Sequence, residues 1–123
     1  GDDVVFRANG NEALKDFPVV VLVNGGSASA AEILAGALRD QRNIKLVGEN
    51  TFGKGTVQEL QTLSDNSSLK ITIAKWLLPS GQAIEKNGLK PDFEVKLTEE
   101  DAKADNDPQL KKAFEVLKPQ LVK

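Results

Sequence analysis

Pro18-Val-Val-Val-Leu-Val-Asn24, then Gly25-Gly-Ser-Ala28, then Ser29-Ala-Ala-Glu-Ile-Leu-Ala-Gly-Ala-Leu-Arg-Asp40, is the stretch that decides the fold. The first run is short, β-branched and almost uninterrupted, which suits a strand over 19–23 buried on both faces of a largely parallel sheet. Its two glycines break the strand. From Ser29 the apolar side chains fall at Ile33, Leu34, Ala37 and Leu38, a stripe at helical spacing that predicts a helix over 29–40, with Glu32, Arg39, Asp40 and Gln41 left to face water. Asn43 supplies a turn and Ile44-Lys-Leu-Val47 a second strand, which Gly48-Glu-Asn-Thr-Phe-Gly-Lys-Gly55 is too rich in glycine and polar residues to continue. The pattern is α/β. Active residues of such folds sit on loops beyond the carboxyl ends of strands, where both Ser29 and Lys54 fall.

Ser29-Ala-Ala-Glu32 fits the capping box, in which a serine closes the first turn of a helix and a glutamate reaches back to it. On spacing alone the cap is the commoner outcome. The same geometry surrounds a hydroxyl with free backbone N–H groups that stabilise a developing oxyanion, so a cap and a nucleophile look alike until a partner is found. Histidine and cysteine are both absent from the chain, which excludes a Ser-His-Asp triad within it and leaves a lysine as the plausible base. Lys54 is the candidate because glycines on both sides allow close backbone approach. A lysine acting as base must shed its proton, and burial against apolar neighbours favours the neutral amine. Phe52 is placed to supply part of that surrounding.

Residue types and their order, from Asn24 to Asp40 and again through Gly48-Glu-Asn-Thr-Phe-Gly-Lys-Gly-Thr-Val-Gln58, resemble the active-site core of the carboxyl-terminal processing (tail-specific) proteases. The likeness continues through Leu78-Pro-Ser-Gly-Gln82, Gly88-Leu-Lys-Pro-Asp92 and the helix around Leu110-Lys-Lys-Ala113, so it covers nearly the whole chain. The resemblance implies that Ser29 is the nucleophile, that Lys54 is its general base and that Gln58 orients the lysine. The Ala30 N–H would then hold the oxyanion. It further implies a crotonase-like (ClpP-like) β/α spiral, with residues 1–123 as the carboxyl-terminal part of a catalytic domain, a mixed sheet and flanking helices. Family members also carry a PDZ domain and a glycine-rich turn that supplies a second oxyanion donor, and no equivalent of that turn precedes Val4. Implied partners are carboxyl-terminal tails of protein or peptide substrates and the parent's PDZ domain. The implied location is periplasmic or otherwise extracytoplasmic, with possible membrane association through the parent chain. Retinoid-binding proteins of the photoreceptor matrix are similar to this fold without being proteases, so a non-catalytic ligand-binding or scaffold module is the alternative. Retention of Ser29, Lys54 and Gln58 argues against it.

With 123 residues, 40% apolar, the chain is one domain or a piece of one. A net charge of −2 from 16 basic and 18 acidic residues, interspersed, leaves no footprint for nucleic acid or an anionic membrane. Lack of cysteine excludes disulfides and thiolate metal sites; no cofactor or metal is expected. There is no signal peptide or bilayer-length apolar run. Methionine is missing even at position 1, so we expect the chain to be a piece of a longer one. The apolar surface that an absent half would cover is expected to favour self-association.

In chain order, Val4-Val-Phe6 within Asp2 to Ala8 reads as an outer strand, ended by the Asn9-Gly10 turn. Val57 to Leu63 and Leu69 to Leu77 read as a hairpin around Ser64 to Ser68; the second strand, with its Leu69, Ile71, Ile73 alternation, is the clearest half-buried strand. Trp76 belongs in or near the core. Phe93 to Leu97 is a last short strand, and Thr98 to Asp107 an acidic surface connection. Asp107 caps a helix begun by Pro108, with Leu110, Ala113, Phe114 and Leu117 as its core stripe. Gly48-x4-Gly53-Lys54 imitates a phosphate loop, but Gly55 stands where Ser or Thr is needed and no helix follows. The acidic residues of 99–107 lack the glycine and spacing of a calcium loop.

Overall fold

The first βα unit forms where its residues place it. In the computed structural model, which describes residues 3–121, strand β1 (Val20–Val23) leads through the Gly25-Gly26 turn into helix α1 (Ala30–Arg42), and strand β2 (Lys45–Gly48) follows. Asn43 ends α1 in the left-handed conformation, φ 53°, and its N–H donates to the Arg39 carbonyl at 2.9 Å. Strands β3 (Thr56–Thr62) and β4 (Ser68–Lys75) come next, then β5 (Phe93–Glu94), α2 (Glu99–Lys103) and α3 (Pro108–Leu121). A parallel sheet runs in the order β1-β2-β5, and β3 and β4 make a separate antiparallel pair.

Central strand β2 is covered on both faces: neighbouring Leu46 and Val47 point to opposite sides and both are 0% exposed. On one face Leu46 joins Val23, Ala35 of α1, Leu78, Ile84 and Leu89 in the main core cluster. Across the other face lies α3, whose Leu110, Ala113, Phe114 and Leu117 form a shallow groove with Val20 and Leu22. Asp92 pins the last strand in place: its carboxylate accepts the Leu46 N–H at 2.8 Å, while its own N–H donates to the Leu46 carbonyl at 2.9 Å. Among the described residues no helix is long and apolar enough to cross a membrane.

Several expectations are corrected. The outer strand at Val4 to Phe6 does not form; no neighbour offers it a ladder, and Phe6 is 92% exposed. Asp2, at the start of that stretch, lies outside the described residues. Strand β1 is covered less than predicted, because it is a sheet edge and Leu22 remains exposed. The buried face of α1 is rotated from the predicted stripe: Glu32, Ala35 and Gly36 are buried and Leu34 is 61% exposed. Gly36 lies against the core, where a Cβ would come within 2.4 Å of Leu78 Cδ2. The hairpin pairs as expected, with a bulge between Val57 and Gln58, but it is exposed rather than half-buried. Trp76 lies just past β4 and is 43% exposed. The acidic connection contains α2, capped by Thr98, whose hydroxyl accepts the Asp101 N–H at 3.1 Å. Asp107 caps α3 through the Leu110 N–H at 2.9 Å, yet only Ala113 of the predicted stripe is buried and Phe114 is exposed.

Candidate active site

Ser29 ends the glycine-serine turn and begins α1 with φ 52° and ψ −116°, a conformation that costs a non-glycine residue roughly 1–3 kcal/mol and persists only where surroundings enforce it. The turn before it is built from its own side chains. Asn24 Oδ1 accepts the Gly26 N–H at 2.9 Å, and the Ser27 hydroxyl accepts the Asn24 N–H at 3.1 Å. Ser27 is therefore occupied in the turn. At Ser29 the sequence of a capping box is present, but only its glutamate half is a well-formed hydrogen bond: the Ser29 N–H donates to Glu32 Oε2 at 3.1 Å, while the Ser29 hydroxyl makes no cap bond. The hydroxyl is left exposed beside the first helical N–H groups, that of Ala30 among them.

The Lys54 loop is tied to this turn by its backbone. The Phe52 N–H donates to the Ser27 carbonyl at 2.8 Å. Glu32 makes the larger connection: Oε1 accepts the Thr51 hydroxyl at 2.5 Å and the Gly53 N–H at 2.6 Å, and Oε2 accepts the Lys54 N–H at 2.9 Å besides that of Ser29. Glycines flanking the lysine permit the close approach their positions implied. A Cβ on Gly53, φ 90°, would lie 2.1 Å from the Lys86 carbonyl oxygen, and one on Gly55 would lie 2.2 Å from that of Ile84.

Glu32 is the residue that sequence reasoning placed wrongly. Expected to face water, it is 0% exposed. Burial alone would push its carboxyl up, but the hydrogen bonds from Thr51, Gly53, Lys54 and Ser29 outweigh that and hold it below the ordinary glutamate value. Such a carboxylate, with every lone-pair direction taken, is a joint between two loops rather than a proton carrier. The signal was in the sequence: the same Ser29-x-x-Glu32 spacing that suggested a cap also predicts a carboxylate at the first turn.

Side chains fare differently from backbones. Lys54 and Gln58 are both exposed, Phe52 is 63% exposed, and no hydrogen bond joins the Ser29 hydroxyl to the Lys54 amine. Gln58 lies at the bulge of β3, beyond the Lys54 loop. The structure brings the Ser29 and Lys54 backbones to one carboxylate but leaves the apolar shelter predicted for Lys54 unbuilt by this stretch of chain. The extended β3 after Lys54 is incompatible with a phosphate loop, which needs a helix there. Among the described residues no group of three or more acidic, histidine or cysteine side chains is placed to hold a metal ion.

Residues 2–95 match the sequence profile of peptidase family S41. The chain is 54% identical over 80 residues to the carboxy-terminal processing protease CtpA of Bacillus subtilis, covering 65% of this chain and 17% of that one. It is 53% identical over 92 residues to a carboxyl-terminal-processing protease of Synechocystis, covering 75% and 21%. Among solved structures, the photosystem II D1 C-terminal processing protease superposes with a TM-score of 0.58 at 48% identity, over 64% of this chain and 20% of the other. The tricorn protease shares the fold, with a TM-score of 0.69 at 22% identity over 85% of this chain and 10% of that one. This sequence thus spans about a fifth of the length of the curated relatives it matches.

Proposed function

Since the chain belongs to peptidase family S41, we propose that the protein carrying it is a serine endopeptidase that cleaves protein substrates near their carboxyl termini, with Ser29 and Lys54 as a dyad. The observation that supports this most is the single buried carboxylate of Glu32, which accepts N–H groups from Ser29 and Lys54 at 3.1 and 2.9 Å and so fixes the two loops against each other. In this reading the neutral Lys54 amine takes the Ser29 hydroxyl proton as Oγ attacks the substrate carbonyl. The Ala30 N–H donates to the resulting oxyanion. Collapse expels the amine, protonated by Lys54, and leaves an acyl-enzyme on Ser29. Water, deprotonated by Lys54, then releases the acid and restores the serine. Gln58 orients the lysine.

Residues 1–123 are then the carboxyl-terminal part of a crotonase-like (ClpP-like) catalytic domain in an extracytoplasmic protein, with a PDZ domain elsewhere in the parent. Alone, this stretch is inactive, because Lys54 is exposed and a missing oxyanion donor costs on the order of 10²–10³ in rate, and it self-associates through exposed apolar side chains such as Leu60, Leu69 and Ile73. The test is turnover of a peptide with a free carboxyl-terminal tail by the full-length protein. Ser29→Ala and Lys54→Ala each abolish it, Lys54→Arg does not rescue, and Gln58→Ala is milder. Ser27→Ala leaves acylation by a serine-directed probe intact. Substantial activity in either alanine variant of the dyad sinks the reading, and loss of labelling in Ser27→Ala instead moves the nucleophile.

A further inference from the structure

Beside the two reactive loops runs a third segment, 84–89, which the proposed chemistry does not use. It is anchored in the core by Ile84 and Leu89, 6% and 5% exposed. Its backbone lies directly on the Lys54 loop: a Cβ on Gly88, φ 71°, would fall 2.2 Å from the Thr51 carbonyl oxygen. Thr51 itself is 4% exposed. Its N–H donates to the Leu89 carbonyl at 3.1 Å and its hydroxyl oxygen accepts the Leu89 N–H at 2.7 Å.

Those bonds fix the direction of the remaining one. A backbone N–H can only donate, so the Thr51 oxygen is the acceptor from Leu89 and its own proton goes to Glu32 Oε1, 2.5 Å away. The carboxylate can only accept, and it takes the Gly53, Lys54 and Ser29 N–H groups on its remaining positions. A relay of fixed polarity therefore runs from Leu89 through the Thr51 hydroxyl to Glu32, and from there to both proposed catalytic loops. We propose that Thr51 is a positioning residue of this enzyme: through Glu32 it locks the Ser29 turn and the Lys54 loop to the core-anchored 84–89 segment. The proposal rests on the dyad reading above. Valine would fill the same space without a proton to give or an oxygen to receive, leaving Glu32 one donor short and the Leu89 N–H unpaired. A serine keeps both functions.

The experiment uses the full-length protein with a tail peptide, measuring kcat, KM, labelling by a serine-directed probe, and thermal unfolding. Thr51→Val is expected to lower kcat and the labelling rate together by about 10²-fold, as for a misplacement near 1 Å, with KM within about twofold. Thr51→Ser is expected to restore kcat to within a few fold. Unchanged kcat in Thr51→Val overturns the proposal, as does a loss confined to KM or a serine variant as poor as the valine one. A Thr51→Val protein unfolded at the assay temperature assigns the hydroxyl to stability alone and overturns it too. Ser29→Ala and Lys54→Ala run alongside separate the two levels: active alanine variants defeat the dyad, whereas inactive ones beside a fully active Thr51→Val defeat only the relay.

Discussion

Two regions of this chain share a boundary at Lys54 and obey opposite rules. On one side the Ser29 turn, α1, the Lys54 backbone and 84–89 are closed on themselves: the buried carboxylate is saturated, and three glycines let backbone meet backbone. On the other, the β3–β4 hairpin pairs only with itself among the described residues, and Leu60, Leu69 and Ile73 are 66%, 50% and 56% exposed. A lone hairpin is marginal in water, and among the described residues nothing covers its open edges and apolar side chains. The difference separates two requirements of the proposed chemistry. Where the Ser29 and Lys54 backbones lie is settled locally; the apolar cover that the proposal requires around Lys54 is not.

The largest effect that can break this contrast comes from removing the hub. Glu32→Ala orphans four donors that meet on one fully buried carboxylate, at about 1–3 kcal/mol for each that water cannot reach. We expect a loss of at least about 3 kcal/mol in denaturant unfolding of the full-length protein, against less than about 0.5 kcal/mol for the exposed Glu59→Ala on the hairpin. Equal effects would mean that the two regions are not different in kind.

An intermediate effect is pH-dependent. Because Glu32 titrates below the ordinary 4.5 in the folded protein, its contribution is complete above the unfolded value and is lost as pH falls from there through the folded value. Glu32→Gln has no such proton to take up. It is less stable at neutral pH, since its amide turns donors toward donors, but its stability falls less steeply with acid over that window. Asp65, held low by the Ser67 hydroxyl and N–H at the hairpin turn, is exposed, so Asp65→Asn leaves the acid limb close to that of the parent. Asp40 and Asp101 titrate low as well, but equally in both variants, and they cancel in the difference. Parallel acid limbs for the parent and Glu32→Gln would remove the carboxylate from its central place.

Legibility in the sequence follows the same divide. The first βα unit, the second strand and the hairpin were readable because periodicity and turn residues are local. The phase of α1 was not: Ile33, Leu34, Ala37 and Leu38 outweigh Gly36 in any hydrophobic pattern, yet Glu32, Ala35 and Gly36 are the buried positions, with Gly36 packed against Leu78. A buried glutamate is invisible to patterning because its burial is offset by donors scattered over residues 29–54. Ser29 and Lys54 were nominated by residue type and elimination, and the structure adds the joint between them. Val4 to Phe6 failed for the reverse reason, since strand propensity without a neighbouring edge makes no strand.

The smallest expected change in stability tests the open side of the comparison. Along β4, Leu69, Ile71 and Ile73 alternate with Lys70 and Thr72, so the apolar side chains of that strand share one face, where Gln61 and Glu59 of β3 stand opposite Leu69 and Ile71. Threonine keeps the β-branch that suits a strand while giving up apolar area. Ile73→Thr in the isolated chain should therefore shift its unfolding by less than about 0.5 kcal/mol, because the isoleucine is already 56% exposed and little burial is lost. Its effect should appear in association instead. Sedimentation of the unmodified chain is expected to show a concentration-dependent dimer or larger species, and Ile73→Thr, better still with Leu69→Thr, to move the population toward monomer. A parent chain that sediments as a single monomer at every concentration would show that the hairpin tolerates water unaided. The contrast between a closed cradle and an unfinished sheet would then reduce to the cradle alone.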